Sequence, residues 1–351
     1  MITARLSDRL PAVSRLAVGS LTVSKMQAAL PEEEAASVLA YAFDSGINFI
    51  DTAQYYENYH LLRAALRKCR RPEDVVISTK TYAYSRELAA HAVEEARRAL
   101  DRDTIDIFML HEQESIDTLR GHMDALDYLF ECRERGIVRA VGASTHHVAA
   151  VRGLMKLQDM GLPVDVCHPL YNMAGIGIAD GSADDMSVVL SEAHARGIGI
   201  FGMKALGGGH LCASAEDALR FVLSKPFIDA VAVGMQSFEE VDANIRFLET
   251  GTFSGADREK LSAKRRRLHV EEYCEGCGAC VRRCGAGALH LEEVDEVEDI
   301  PAYDFTSEFV GDSGTHAAGS QTKLRAVPDD EKCVRCGYCT KVCPVFALKV
   351  Y

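Results

Sequence analysis

Short apolar runs alternate with helical patterns from about residue 15 to about residue 250. The runs are RLAVGS (15–20), INFI (47–50), VVISTK (75–80), IDIFMLH (105–111), IVRAVGA (137–143), VDVCH (164–168), IGIFGM (198–203) and IDAVAVG (228–234). Each is apolar almost throughout, which is the pattern of a strand buried on both faces, as in a parallel sheet. Between them lie stretches with apolar residues at helical spacing, such as EEEAASVLAYAFDSG (32–46), SRELAAHAVEEARRAL (85–100) and TLRGHMDALDYLFECRERG (118–136). Gly46, Gly136 and Gly197 stand where helix C-caps should fall, because glycine enters the left-handed conformation at little cost.

Strand–helix alternation allows an open doubly wound sheet or a closed barrel. Eight units in roughly 235 residues fit a (β/α)₈ TIM barrel. An open nucleotide-binding sheet is expected to carry G-x-G-x-x-G after its first strand. The first strand here runs instead into GSLTVSKMQ. The expected architecture is therefore an α/β barrel over 1–255, a linker helix over 256–270, and a small C-terminal α+β module over 271–351. A long acidic insertion, beginning LEEVDEVEDIPAYD, interrupts that module at about 291–330.

Charge narrows the partners. The 351-residue chain carries a formal net charge of -13, which argues against nucleic acid or an anionic membrane, since phosphate binding draws on surplus Lys and Arg. The RRR at Arg265 to Arg267 is too short to reverse that, and reads as a solvated helix end. No apolar run is long enough to span a bilayer, and the first residues have no apolar signal core, so a cytoplasmic location is expected.

Twelve cysteines without a secretory signal need a reason other than disulfides. Cys69, Cys132, Cys167 and Cys212 are scattered and read as small buried hydrophobes. The other eight fall in two runs, Cys274-x₂-Cys277-x₂-Cys280-x₃-Cys284 and Cys333-x₂-Cys336-x₂-Cys339-x₃-Cys343. This spacing resembles that of bacterial-type ferredoxins, in which the fourth Cys of each run serves the other cluster. The resemblance implies two [4Fe–4S] clusters, one on Cys274, Cys277, Cys280 and Cys343, the other on Cys333, Cys336, Cys339 and Cys284. GAGAL (285–289) and PVFAL (344–348) follow the two runs similarly, as an internal duplication would leave them. Gly285 stands where those ferredoxins usually have Pro. Structural zinc, which normally uses paired C-x₂-C, and plain buried thiols are the competing readings.

The segment GINFIDTAQYYENYHLLRAALR (46–67), with ISTK (77–80) and IDIFMLH (105–111), resembles the aldo-keto reductases. The resemblance implies a catalytic set of Asp51, Tyr56, Lys80 and His111, each at or just after the C-terminal end of a strand, where barrel enzymes keep their chemistry. Reducing a carbonyl needs a hydride on carbon and a proton on oxygen. Tyr56 is the expected acid, with Lys80, paired to Asp51, lowering its pKa, and with His111 hydrogen-bonding the substrate oxygen.

The same resemblance implies a nicotinamide cofactor, NAD(P)H, at the barrel mouth. Ser144 in GASTHH (142–147) stands where the carboxamide is held, and Thr145 where Asn is common. His168 replaces a Gln after strand six, and can equally be a satisfied core histidine. Met203 replaces a stacking Tyr. Gly207, Gly208 and Gly209 would let backbone N–H groups approach the pyrophosphate, unless they form only a flexible loop. Asn244 matches an adenine-contacting Asn. Gln236 and Glu240 lie where NADPH-using relatives carry Lys or Arg, which favours NADH, because a 2′-phosphate wants a cation.

Barrel and module together resemble the ferredoxin-fused branch of that family. This implies an oxidoreductase that interconverts a small-molecule carbonyl and alcohol, with its clusters linked to a one-electron carrier protein. The alternative is an electron-transfer or redox-sensing protein whose barrel is mainly a scaffold. The clusters themselves can be redox-active or only structural.

Overall fold

The computed structural model describes residues 1–162, 164–263, 267–295, 322–345 and 347–350. All eight apolar runs form strands of one closed barrel: β1 (Leu16–Gly19), β2 (Phe49–Asp51), β3 (Val76–Thr81), β4 (Ile105–Gln113), β5 (Val138–Thr145), β6 (Val166–Pro169), β7 (Gly199–Met203) and β8 (Ala230–Val233). Every neighbouring pair is parallel, and β8 closes on β1 with Val231 opposite Leu16.

Alternation along each strand sorts the apolar residues into two cores. Inward-facing Ala17, Phe49, Val76, Ile107, Ala140 and Phe201 fill the barrel. Outward-facing Leu16, Ile50, Ile77 and Phe108 pack under the helices. This two-sided burial explains why the strands read as continuous apolar runs.

Two features were not legible in the strand pattern. A short antiparallel hairpin, Thr3–Ala4 with Val13–Ser14, precedes the barrel and adds Leu6, Leu10 and Val13 to the interior core. It approaches so closely that a Cβ on Gly199 would lie 2.0 Å from the Leu6 carbonyl oxygen. The helical pattern at 118–136 is two helices, Ile116–Gly121 and Met123–Glu134, rather than one. They break at His122, whose ring Nδ1 lies 2.7 Å from the Thr118 carbonyl, just after the flexible Gly121.

A helix over Gly255–Ala263 leads from the barrel to the cysteine-rich module. There Leu268–Val270 pairs antiparallel with Leu348–Val350, and Leu289–Asp295 with Thr322–Pro328. The expected acidic insertion begins inside the first strand of this second pair and takes in all of the second, and its residues 296–321 lie outside the described residues. The two cysteine runs repeat one another locally. Short helices Ala279–Arg283 and Tyr338–Lys341 each start after a left-handed glycine, Gly278 (φ 71°) and Gly337 (φ 74°).

Candidate active site and cluster sites

Three successive strands bring Asp51, Lys80 and His111 to one corner of the barrel mouth, and a 3₁₀ turn at Gln54–Tyr56 after β2 adds Tyr56. All four side chains are buried. Lys80 Nζ donates to Asp51 Oδ2 and to the Thr52 carbonyl, both at 2.7 Å, and Ser78 donates to Asp51 Oδ1 at 3.2 Å. The Tyr56 ring lies edge-on to His111, with centroids 5.8 Å apart, and Lys80 Nζ sits 5.1 Å from the Tyr56 centroid. Tyr82, which directly follows β3, stacks on His111 at 4.4 Å.

Burial opposes the charge on Asp51. The Lys80 ammonium and the His168 ring beside it nonetheless hold its carboxyl well below the usual carboxylate range. The Tyr56 phenol moves the other way. Burial pushes it well above its ordinary value, and the carboxylates of Asp51 and Glu112 add to that. The sequence expectation is of a phenol lowered by Lys80; with the ammonium bonded to Asp51 and Thr52, burial and the carboxylates outweigh it and the net direction is upward. A raised phenol stays protonated at neutral pH, so it can give up a proton only to a strongly basic, developing alkoxide. Reduction should therefore show a flat turnover between about pH 6 and pH 9, without a descending limb from Tyr56. A pH–rate profile that falls through neutrality would restore the lowered phenol.

The residues expected around a nicotinamide are engaged by the protein itself. Ser144 Oγ accepts the Glu112 N–H at 2.9 Å, and the Thr145 hydroxyl donates to the Gln113 carbonyl at 2.6 Å. Gln236 Nε2 donates to the Thr22 carbonyl at 3.0 Å, and Asn244 Nδ2 to the Glu240 carbonyl at 2.7 Å. Glu240 turns its carboxylate back to the Gln236 N–H at 2.8 Å. The Met203 carbonyl accepts the Tyr171 N–H at 3.1 Å.

His168 reaches down into the barrel rather than out of it. Its Nδ1 lies 2.6 Å from the Phe201 carbonyl, which can only accept, so Nδ1 carries a proton. Its Nε2 lies 3.4 Å from Asp51 Oδ2, and the ring stacks on Phe201. The amides of Gly207 and Gly209 close the turn onto the Lys204 and Leu206 carbonyls. The second cysteine run covers this loop. A Cβ on Gly208 would lie 3.1 Å from the Tyr338 ring, and one on Gly209 3.1 Å from Cys336 Cα.

Among the clustered cysteines, Cys274, Cys280 and Cys343 lie near one another, as do Cys284, Cys333, Cys336 and Cys339, while Cys277 is exposed. Burial raises the Cys280 thiol, with Cys274 and Cys343 close enough to add to the effect. Burial likewise raises Cys336, with contributions from Cys284 and Cys333. Cys339 is pushed up to about 12 by burial and by Cys336, Cys333, Cys280 and Cys284. Cys284, Cys333, Cys336 and Cys339 line one cavity, whose other walls include Ala286, Ala288 and Leu289. The two fourth cysteines are treated alike, since Cys284 Sγ accepts the Ala288 N–H at 3.2 Å and Cys343 Sγ the Ala347 N–H at 3.1 Å. Backbone N–H groups aimed at sulfur stabilise thiolate, which is the form that binds iron. Among the described residues no three His, Cys, Asp or Glu side chains converge as ligands of a single metal ion. Thiols around a cubane stand farther apart than thiols around one ion, so the crossed grouping in an apolar cavity fits clusters. Cys69, Cys132 and Cys167 are buried in the barrel as expected, whereas Cys212 is exposed.

Sequence reasoning did not single out Tyr82, Glu112, Lys204 or Tyr338. Each adjoins a residue that was singled out, and only the fold shows that they meet.

Known proteins give the same division of the chain. The sequence model of the aldo/keto reductase family matches residues 15–217, and that of a 4Fe-4S dicluster domain matches residues 273–347. L-galactose dehydrogenase of Arabidopsis thaliana is 23% identical over 286 residues, covering 71% of this chain and 89% of that protein. An aldo-keto reductase of Mycolicibacterium paratuberculosis is 31% identical over 120 residues, which cover 33% of this chain and 41% of that protein. The chain spans about half or less of the length of the first curated relatives it matches. An aldo-keto reductase from Bacillus halodurans, solved in its holo form, shares the fold with a TM-score of 0.59 at 19% identity, over 75% of this chain and 96% of that one. The chain belongs to the aldo/keto reductase family and carries a 4Fe-4S dicluster domain behind its barrel.

Proposed function

We propose that this oxidoreductase interconverts a small-molecule carbonyl and its alcohol at the Asp51–Tyr56–Lys80–His111 corner, with nicotinamide as hydride carrier and two [4Fe–4S] clusters linking the protein to a one-electron carrier. The supporting observation is the buried Lys80–Asp51 pair at 2.7 Å beside Tyr56 and His111. A scaffold has no physical use for a buried ion pair next to a buried phenol and imidazole, since such groups cost desolvation. In reduction, Tyr56 gives its proton to the carbonyl oxygen, and His111 and Tyr82 shape the place where that oxygen sits. A bound nicotinamide would supply the hydride, and bound clusters one electron each.

The domain limits follow the same reading, barrel 1–255, linker 256–270 and module 271–351 with the insertion at about 291–330, except that the linker is helical only to Ala263 and its Leu268–Val270 is already a strand of the module. Residues 264–266 of that linker lie outside the described residues. No helix among the described residues is long and apolar enough to cross a membrane, and a cytoplasmic location is part of the proposal.

The electron-transfer or sensing alternative draws support from the engaged nucleotide-side residues and from the module resting on Gly208 and Gly209. Titration of the cluster-loaded chain with NADH and NADPH separates the readings. NADH should bind tighter by about one to two orders of magnitude, the worth of one charge-assisted phosphate contact that Gln236 and Glu240 do not offer. Tighter NADPH binding would overturn the preference. No binding at millimolar concentration of either would favour the alternative.

A further inference from the structure

The module meets the barrel through the second cysteine run. Tyr338, between Cys336 and Cys339, lies against Gly177 and Gly208, and the Val350 N–H donates to the Gln27 carbonyl at 3.2 Å. From this contact a line of polar groups leads to the catalytic corner. Lys204 Nζ lies 5.2 Å from the Tyr338 ring centroid and 3.2 Å from His146 Nε2. That nitrogen is 3.7 Å from Glu112 Oε1, and Glu112 Oε2 accepts the Tyr82 hydroxyl at 2.6 Å. Tyr82 stacks on His111.

A second observation concerns the backbone. Lys204 (φ 56°) and Glu112 (φ 50°), an ammonium and a carboxylate on this line, both hold the left-handed conformation. Side chains other than Gly, Asn and Asp rarely enter it, and where they are held there the surroundings over-determine them.

We infer that Lys204 ties the redox state of the cluster on Cys284, Cys333, Cys336 and Cys339 to the acid–base corner of the barrel. The inference rests on the two-cluster reading above. Reducing a cluster adds one electron and breaks no bond, so the protein must accommodate one more negative charge. The Lys204 ammonium lies on the barrel side of that cluster's binding loop and favours the reduced form. The Glu112 carboxylate, farther along the same line, disfavours it. Coupling is reciprocal, so a charge change at Glu112 must be felt at the cluster.

The test is an anaerobic redox titration of the full chain with dithionite, followed by electron paramagnetic resonance, with iron and sulfide content measured on each sample. Lys204→Met should make one of the two one-electron steps about tenfold harder, roughly 59 mV for a one-electron couple, and leave the other in place. Lys204→Arg should restore most of the shift, which a merely structural defect would not allow. Glu112→Gln should move the same step in the opposite direction by a smaller factor. If both steps move together, if neither moves, or if Glu112→Gln has no effect, the coupling is overturned. A wild-type chain that assembles no iron overturns the two-cluster reading, and the inference with it.

Discussion

Tyr56→Phe is expected to lower carbonyl-reducing turnover by about two to four orders of magnitude, the usual worth of a positioned general acid. The substitution keeps the ring, its edge contact with His111 and its place under the Lys80 ammonium, and removes only the proton. The phenol is fully committed to its protonated form, because burial, Asp51 and Glu112 all push it up. With the phenol held protonated near neutral pH, the effect should appear in the chemical step. Substrate and nucleotide affinities should stay nearly unchanged, with kcat and kcat/KM falling together. Steady-state kinetics on protein of matched iron content checks this. Near wild-type turnover would mean that another group delivers the proton.

Lys80→Met is expected to abolish turnover and also to destabilise the barrel by roughly 3–5 kcal/mol, the cost of breaking a buried ion pair by removing one partner. Lys80 is only 1% exposed and Asp51 4%, so water cannot replace the lost ammonium. His168 Nε2, 3.4 Å from Asp51, softens the loss but belongs to a ring already fixed by the Phe201 carbonyl. The double variant Lys80→Met with Asp51→Asn removes the stranded carboxylate as well. It should regain much of the stability and none of the activity. Chemical denaturation of the three proteins, alongside their turnover, separates the structural cost from the catalytic one. A single variant as stable as wild type would show that the pair is solvated after all.

The barrel was legible because its strands are buried on both faces, so each appears as an unbroken apolar run such as IDIFMLH or IGIFGM. The hairpin at Thr3–Ala4 and Val13–Ser14 was not, because two-residue strands leave no period to read. The four residues proposed as catalytic were legible because each sits at or just after a strand end in a recognisable local context. Their electrostatics were not. The spacing of Asp51 and Tyr56 cannot say that Lys80 bonds the carboxylate, nor that burial and two carboxylates push the phenol up. His168 shows the same limit, since one side chain at one strand end can point to the mouth or into the barrel. The glycine run at 207–209 announced a close backbone approach, but what approaches it in this fold is Tyr338 and Cys336 of the module. Only tertiary contacts reveal such a meeting, because about 125 residues of chain separate the two segments.

The proposed function places carbonyl–alcohol chemistry on the four buried polar groups at β2 to β4. Product formation by the cluster-loaded full chain tests it most directly. Anaerobic protein would be incubated with a panel of aldehydes and ketones, with NADH or with NAD⁺ plus dithionite-reduced viologen as the electron source, and alcohols would be quantified by mass spectrometry. The wild-type chain should form alcohol from at least one carbonyl, with loss to background in Tyr56→Phe at equal iron content. Alcohol formed equally by both proteins, or none formed from any carbonyl with either electron source, would contradict it.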